Sequence, residues 1–128
     1  MCPTEILSLN RRIQEFSALN VEVLGISGDS IHTHKAWMRS SEGIGPLSFS
    51  LASDYSREVT ASYGVLDEAT KASLRATFII DPEGIVQYSV ISNSKVGRSV
   101  DETVRVIQAL QSGGLCPMDW TPGQKTVS

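Results

Sequence analysis

The 128-residue sequence is short of cysteine and histidine. Its two cysteines, Cys2 and Cys116, are too few for a disulfide scaffold and stand near opposite ends of the chain. Its two histidines, His32 and His34, complete no usual zinc spacing with them, so no metal site is expected. Charge of one sign is scarce as well. Eleven basic against fourteen acidic residues leave a net charge of −3, which argues against a nucleic-acid partner or a polybasic membrane anchor. No apolar run approaches the ~18 residues that a membrane span needs, and no basic start followed by an apolar stretch marks a secretory leader. These absences predict a cytoplasmic protein without a membrane partner. Repeats, low-complexity tracts and linkers are missing too. What remains is one domain's length of chain, able to hide roughly two-thirds of the surface its unfolded form exposes.

The spacing of Ile6, Leu9, Ile13 and Phe16 predicts an opening helix, with Pro3 in its first turn and Asn20 as its stop. Val21 to Ser27 is a short, nearly continuous apolar run, which predicts a strand buried on both faces. Asp29 or Ser30 caps a second helix carrying Ile31, His34, Trp37 and Met38. Residues 39–46 form a loop, and the alternation of Leu47, Phe49 and Leu51 predicts a further strand. Asp54 caps a short helix that ends at Gly64. Thr77–Ile80 and Ile85–Ile91 read as a hairpin about the turn Asp81-Pro82-Glu83-Gly84. Ser99 and Glu102 open a last helix as a capping box, and Gly113-Gly114 close it. The pattern predicts an α/β fold, with helices on both faces of a sheet, over residues 1–112. Residues 113–128 are expected to form an extended tail holding Cys116. A buried strand at 21–27 needs neighbours on its edges, and a strand preceding residue 1 would supply one.

Two lone thiols in such a chain are either inert core residues or redox-active groups. Cys2 precedes Pro3 at the amino end of a helix, where free N–H groups favour an anion. The helix end lowers a thiol pKa by at most about 1.5 units. A thiol near pKa 8.5 is only about 3% ionised at pH 7, so a cation must supply the rest. Arg75, beside the apolar run LRATFII, is the candidate.

The stretch Cys2-Pro3-Thr4-Glu5-Ile6 resembles the peroxidatic segment of the typical two-cysteine peroxiredoxins, including the alkyl hydroperoxide reductase C-subunit type. The resemblance runs through VEVLGIS, Asp29-Ser30, His34, Trp37, Gly45-Pro46-Leu47, Tyr63-Gly64-Val65, LRATFIID and residues 96–102 to Cys116-Pro117 and Trp120. It implies a thioredoxin-like fold and a thiol-dependent peroxidase acting on hydrogen peroxide and small organic hydroperoxides. Cys2 would be the peroxidatic thiolate, with Arg75 stabilising both it and the peroxide oxygen. Glu5 and Arg98 would form a supporting ion-pair network. Cys116 would be the resolving thiol, forming a disulfide with a partner subunit in a homodimer or a ring of dimers. A thioredoxin-like dithiol protein or a flavoprotein would be the reductant, with no metal or organic cofactor.

Three departures carry expectations of their own. The family places a proline and, three residues before the cysteine, a threonine or serine; here only Met1 precedes Cys2. The chain is therefore read as truncated at its amino end, lacking N-terminal strands including the central one, with a gap between strands 21–27 and 76–80. The loop Glu42-Gly43-Ile44-Gly45 replaces the Gly-Gly-Leu-Gly of over-oxidation-sensitive members, and the chain stops at Ser128 without their Tyr-Phe tail, which implies an oxidation-resistant type. The missing segment also motivates other readings: an inactive fragment or interaction module, or a thiol redox relay. Trp37 is expected in packing, His32 and His34 in structural or surface places, and Asp54, Asp81 and Ser99 in caps and turns.

Overall fold

The structure is a computed structural model and describes residues 2–40 and 43–127. Met1, Ser41, Glu42 and Ser128 lie outside the described residues, and with them the expectations placed on Met1, on Glu42 of the 42–45 loop and on Ser128. Among the described residues five helices and four strands follow one another as α1 (Pro3–Arg11), α2 (Ile13–Ala18), β1 (Leu24–Ser27), α3 (Ile31–Arg39), β2 (Ser50–Ser53), α4 (Glu58–Ser62), β3 (Arg75–Ile80), β4 (Val86–Ser92) and α5 (Val100–Ser112). They fall into two compact units, Met1–Ala76 with Ile91–Arg98, and Thr77–Val90 with Ser99–Ser128.

In the first unit the opening helix is two helices. Arg12 leaves helical geometry at φ −108°, ψ 13°, and tight i to i−3 bonds, Arg12 N–H to Leu9 O and Glu15 N–H to Arg12 O, flank it. The apolar spacing survives the break, because Ile6, Ile13 and Phe16 are all buried. Asn20 closes the segment at φ 59°, a left-handed position that asparagine tolerates. β1 is shorter than Val21–Ser27 and is not buried on both faces. It pairs in parallel with β2 alone, Leu24 opposite Ser50 through Ser27 opposite Ser53. Gly25 is covered by Leu51 and Ser27 is buried, whereas Leu24 and Ile26, which alternate with them, are exposed. β2 begins at Ser50, not Leu47, because Asn10 captures the preceding backbone: its Oδ1 accepts from Ser48 N–H at 2.7 Å and its Nδ2 donates to Pro46 O at 3.4 Å. The expected sheet with a gap is found as two two-stranded sheets, β1–β2 and β3–β4.

Capping explains the helix starts. Ser30 caps α3 by accepting from Thr33 N–H at 3.1 Å, and α3 lies against β2. Asp54 serves α4 from four residues ahead of it, accepting from Val59 N–H, Thr60 N–H and the Thr60 hydroxyl. The position just before α4 is held by Arg57, which is left-handed at φ 68°. That conformation aims its guanidinium at three loops: Nη1 donates to Gly28 O at 2.6 Å and Tyr55 O at 2.8 Å, and Nε to Lys71 O at 2.9 Å. His34 is buried, as a structural residue would be, with Nε2 2.5 Å from Ser27 Oγ.

The hairpin β3–β4 turns through Asp81-Pro82-Glu83-Gly84. The Asp81 carboxylate accepts from Glu83 N–H and Ile85 N–H, and Gly84 takes φ 84°. β3 is half-buried rather than buried. In the second unit Ser99 caps α5 through Glu102 N–H. The capping box is half made, because the Glu102 carboxylate is engaged by Arg105 instead. The residues after α5 do not form a plain extended tail. Leu115 bridges Val127, Trp120 is buried with Val106 and Ile107 in this unit's core, and Arg105 donates to Trp120 O at 2.9 Å.

Candidate active site

Cys2, Glu5, Arg75 and Arg98, widely separated in sequence, all lie in the first unit. Cys2 is the residue before α1, in extended geometry at φ −84°, ψ 123°, with Pro3 as the first helical residue. This puts its half-buried side chain beside the free N–H groups of the first turn. Its Sγ is 3.0 Å from Thr4 Oγ1. The thiol is lowered from 9.0 to about 7, first by the Thr4 hydroxyl, then by the N–H groups of Glu5 and Thr4, against the opposing effect of burial, with Arg75 adding to the lowering. At neutral pH about half of it is thiolate, the reactive form of a cysteine.

One turn into α1, the Glu5 carboxylate is divided between two arginines. Oε1 pairs with Arg75 Nη1. Oε2 accepts from Arg98 Nε at 2.7 Å and Arg98 N–H at 2.9 Å. The Glu5 side chain is only 9% exposed, so this is no solvated surface pair. Burial pushes its carboxyl up, but the hydrogen bonds from Arg98 and the charges of Arg98 and Arg75 outweigh it, and the net shift is downward. Both guanidiniums have second anchors: Arg75 Nε donates to Ser94 O at 2.8 Å and Arg98 Nη1 to Ala76 O at 2.6 Å. Arg75 is thereby fixed at the head of β3 and interacts with both Glu5 and the Cys2 sulfur.

Cys116 lies in the second unit, two residues past Gly114. It is half-buried in an open cleft of about 600 Å³, lined in part by Arg105, Leu110, Met118 and Asp119. Its sulfur meets mainly carbonyl oxygens, Ala109 O and Gly114 O at 3.8 Å each, with Ser112 Oγ at 3.5 Å. Among the described residues no group of three or more His, Cys, Asp or Glu side chains could hold a metal ion. Among the described residues no helix is long and apolar enough to cross a membrane.

Sequence reasoning named the thiol, the carboxylate and both arginines but missed three contacts, those of the Thr4 hydroxyl, Ser94 O and Ala76 O. Thr4 carried a signal, a hydroxyl two residues past a thiol at a helix start. The Ser94 carbonyl carried none, since a backbone acceptor leaves no mark in side-chain identity.

An α/β chain with a lowered thiol at a helix start, an arginine beside it and a second thiol downstream defines a class of redox-active thiol proteins. The comparisons agree with that class. The model of the AhpC/TSA family matches residues 1–89. A Bacillus subtilis (strain 168) protein carrying the peroxiredoxin name YkuU is 52% identical over 130 residues, covering 99% of this chain and 72% of that one. The chloroplastic 2-Cys peroxiredoxin BAS1 of Spinacia oleracea is 47% identical over 134 residues, covering 99% of this chain and 51% of that one. Among solved structures, the reduced 2-Cys peroxiredoxin of Plasmodium vivax superposes with a TM-score of 0.94 at 40% identity, over 98% of this chain and 68% of that one. The chain belongs to the AhpC/TSA family, within its typical two-cysteine peroxiredoxins, and has their thioredoxin-like fold. The class is that of thiol-dependent peroxidases.

Proposed function

We propose that the chain reduces hydrogen peroxide and small organic hydroperoxides at Cys2. The observation that carries this reading is the Cys2 sulfur set among hydrogen-bond donors, with Arg75 held beside it by Glu5. The Cys2 thiolate attacks one oxygen of the O–O bond. That bond breaks, the sulfur keeps the oxygen as sulfenic acid, and the departing alkoxide or hydroxide takes a proton and leaves as alcohol or water. Arg75 stabilises the thiolate and the charge that develops on the departing oxygen. Glu5 and Arg98 are positioning residues, which hold Arg75 in place through the shared carboxylate.

Cys116 of a second copy then attacks the sulfenic sulfur. A disulfide forms, the hydroxyl leaves as water, and the two chains are linked as a homodimer. An external dithiol, a thioredoxin-like protein or a flavoprotein with a reactive dithiol, returns the enzyme to its reduced form by exchange. On this reading residues 113–128 act as an arm that presents Cys116, the dimers can close into rings, the cell compartment is the cytoplasm, and catalysis calls for no cofactor. Two measurements test it. Cys2→Ser abolishes rapid peroxide consumption; a variant consuming peroxide as fast as the parent overturns the assignment. After one equivalent of peroxide, a non-reducing gel gives a linked dimer in the parent and none in Cys116→Ser.

A further inference from the structure

We propose that the Thr4 hydroxyl is a catalytic residue of this site, donating a hydrogen bond to the Cys2 thiolate throughout the attack on peroxide. The inference deepens the peroxidase reading and rests on Cys2 being the reacting atom.

The geometry comes from the start of α1. Pro3 occupies the first helical position with a fixed φ, so the residue after it is committed to the helix. Cys2, outside the helix and extended, folds its side chain back over the first turn. Thr4 is the first residue past the proline that carries a hydroxyl, and its Oγ1 lies 3.0 Å from Sγ. The bond exists in both protonation states, but not equally. In the thiol state it joins two weak neutral partners. In the thiolate state O–H donates to a full negative charge, which is the stronger bond. The difference favours ionisation. Other groups act on the same sulfur: the N–H groups of Glu5 and Thr4 from α1, and the Arg75 guanidinium from β3. Glu5 and Arg98, the remaining charges of the site, are tied to each other. Arg75 has two other partners, Ser94 O at Nε and the Glu5 carboxylate at Nη1. The Thr4 hydroxyl is the larger influence on Cys2.

A hydrogen bond that ionises a thiol also makes each thiolate a weaker nucleophile. The dependence of rate on pKa has a slope of about 0.4–0.5. Removing the hydroxyl therefore has two opposite effects. With Cys2 at about 7 in the parent, loss of one charge-assisted bond raises it by about one unit. Well below pH 7 the thiolate population falls about tenfold while each thiolate gains about threefold, a net loss of about threefold. Above pH 9 both proteins are largely ionised, and the variant is faster by about threefold. The two profiles cross.

The test is the pH profile of iodoacetamide alkylation, from pH 5 to 10, with modification at Cys2 read by peptide mass spectrometry so that Cys116 does not contribute. The proteins are the full chain, Thr4→Val, Thr4→Ala and Thr4→Ser. Thr4 is exposed, so these changes leave the buried side of α1 at Ile6 untouched. Thr4→Val and Thr4→Ala raise the midpoint by about one unit and cross the parent profile, while Thr4→Ser, which keeps the hydroxyl, follows the parent. Superposition of Thr4→Val and Thr4→Ala on the parent overturns the proposal. So does an equal shift in Thr4→Ser, since packing rather than the hydroxyl would then be responsible. No peroxide enters this measurement, so its failure is separate from failure of the peroxidase reading, which Cys2→Ser reports.

Discussion

The surroundings of Cys2 and of Cys116 are near opposites. Cys2 meets donors: a hydroxyl, two backbone N–H groups and a guanidinium. Cys116 meets acceptors, Ala109 O and Gly114 O, with Ser112 Oγ able to act either way. The first sulfur is placed to carry a charge, the second to donate an S–H hydrogen bond. The supports differ as well. Cys2 sits at the head of a nine-residue helix, beside a carboxylate held by two arginines. Cys116 lies in a segment held by one isolated bridge, one buried tryptophan and one arginine contact. On the proposed mechanism, the contrast suits one thiol held ready in place and another carried to it.

The largest test of this contrast removes the cation. Arg75→Met lowers the rate of Cys2 oxidation by peroxide at pH 7 by about a hundredfold or more, because the developing oxygen charge loses its partner. Alkylation of the same thiol falls only a few-fold, because Arg75 is the weakest of the influences on Cys2 ionisation. Rapid mixing with peroxide and with iodoacetamide separates the two; equal losses would leave Arg75 acting on the thiolate alone. Next in size is the anchor of the other region. Trp120→Ala removes a core side chain at a cost of about 3 kcal/mol. Hydrogen exchange quickens at Val127 N–H, which is bonded to Leu115 O, and the yield of linked dimer falls while Cys2 oxidation keeps its rate.

Glu5→Gln comes third. It leaves two guanidiniums without their shared charge and costs about 2 kcal/mol, less than a fully buried pair because both arginines are partly exposed. Thermal unfolding measures the loss. The pH dependence carries its own sign. Glu5 titrates lower in the folded chain than its ordinary 4.5, so its contribution is complete above that pH and is lost as the pH falls through the folded value. Acid unfolding followed by circular dichroism is thus shallower below pH 4.5 in Glu5→Gln than in the parent. Asp54, lowered from 3.8 chiefly by the Thr60 hydroxyl, still destabilises the variant at lower pH. The smallest effect is expected of Cys116→Ser, which leaves Cys2 alkylation unchanged to within about twofold, since the side chains that lower Cys2, Thr4 and Arg75, belong to its own unit. A larger change would show that the two thiols influence each other.

Local chemistry made much of this legible beforehand. Ser30 and Ser99 cap the helices assigned to them, and Asp81-Pro82-Glu83-Gly84 makes its turn. Glu5, Arg75 and Arg98, named from the family resemblance, pair at the Glu5 carboxylate. What sequence reasoning missed depends on partners distant in the chain. The start of β2 is set by Asn10, some 36 residues before the backbone it captures. The exposure of Leu24 and Ile26 follows from which strands pair, a property that an apolar run does not encode. The break at Arg12 is invisible to helical spacing, because the apolar stripe continues across it. The order of residues 113–128 rests on Trp120, whose ring N–H donates to Gln124 O and whose carbonyl accepts from the Arg105 guanidinium.

Arg57 ties the loops around Gly28, Tyr55 and Lys71 to one guanidinium. A knot of this kind makes opening collective. No one of these loops can swell away without freeing a donor the others share, so their amides are expected to exchange as a single block. The space at Gly28 is part of the same knot, since a Cβ there would stand 2.5 Å from Arg57 Cζ. A side chain at residue 28 would therefore have to displace the Arg57 guanidinium from the carbonyls it holds.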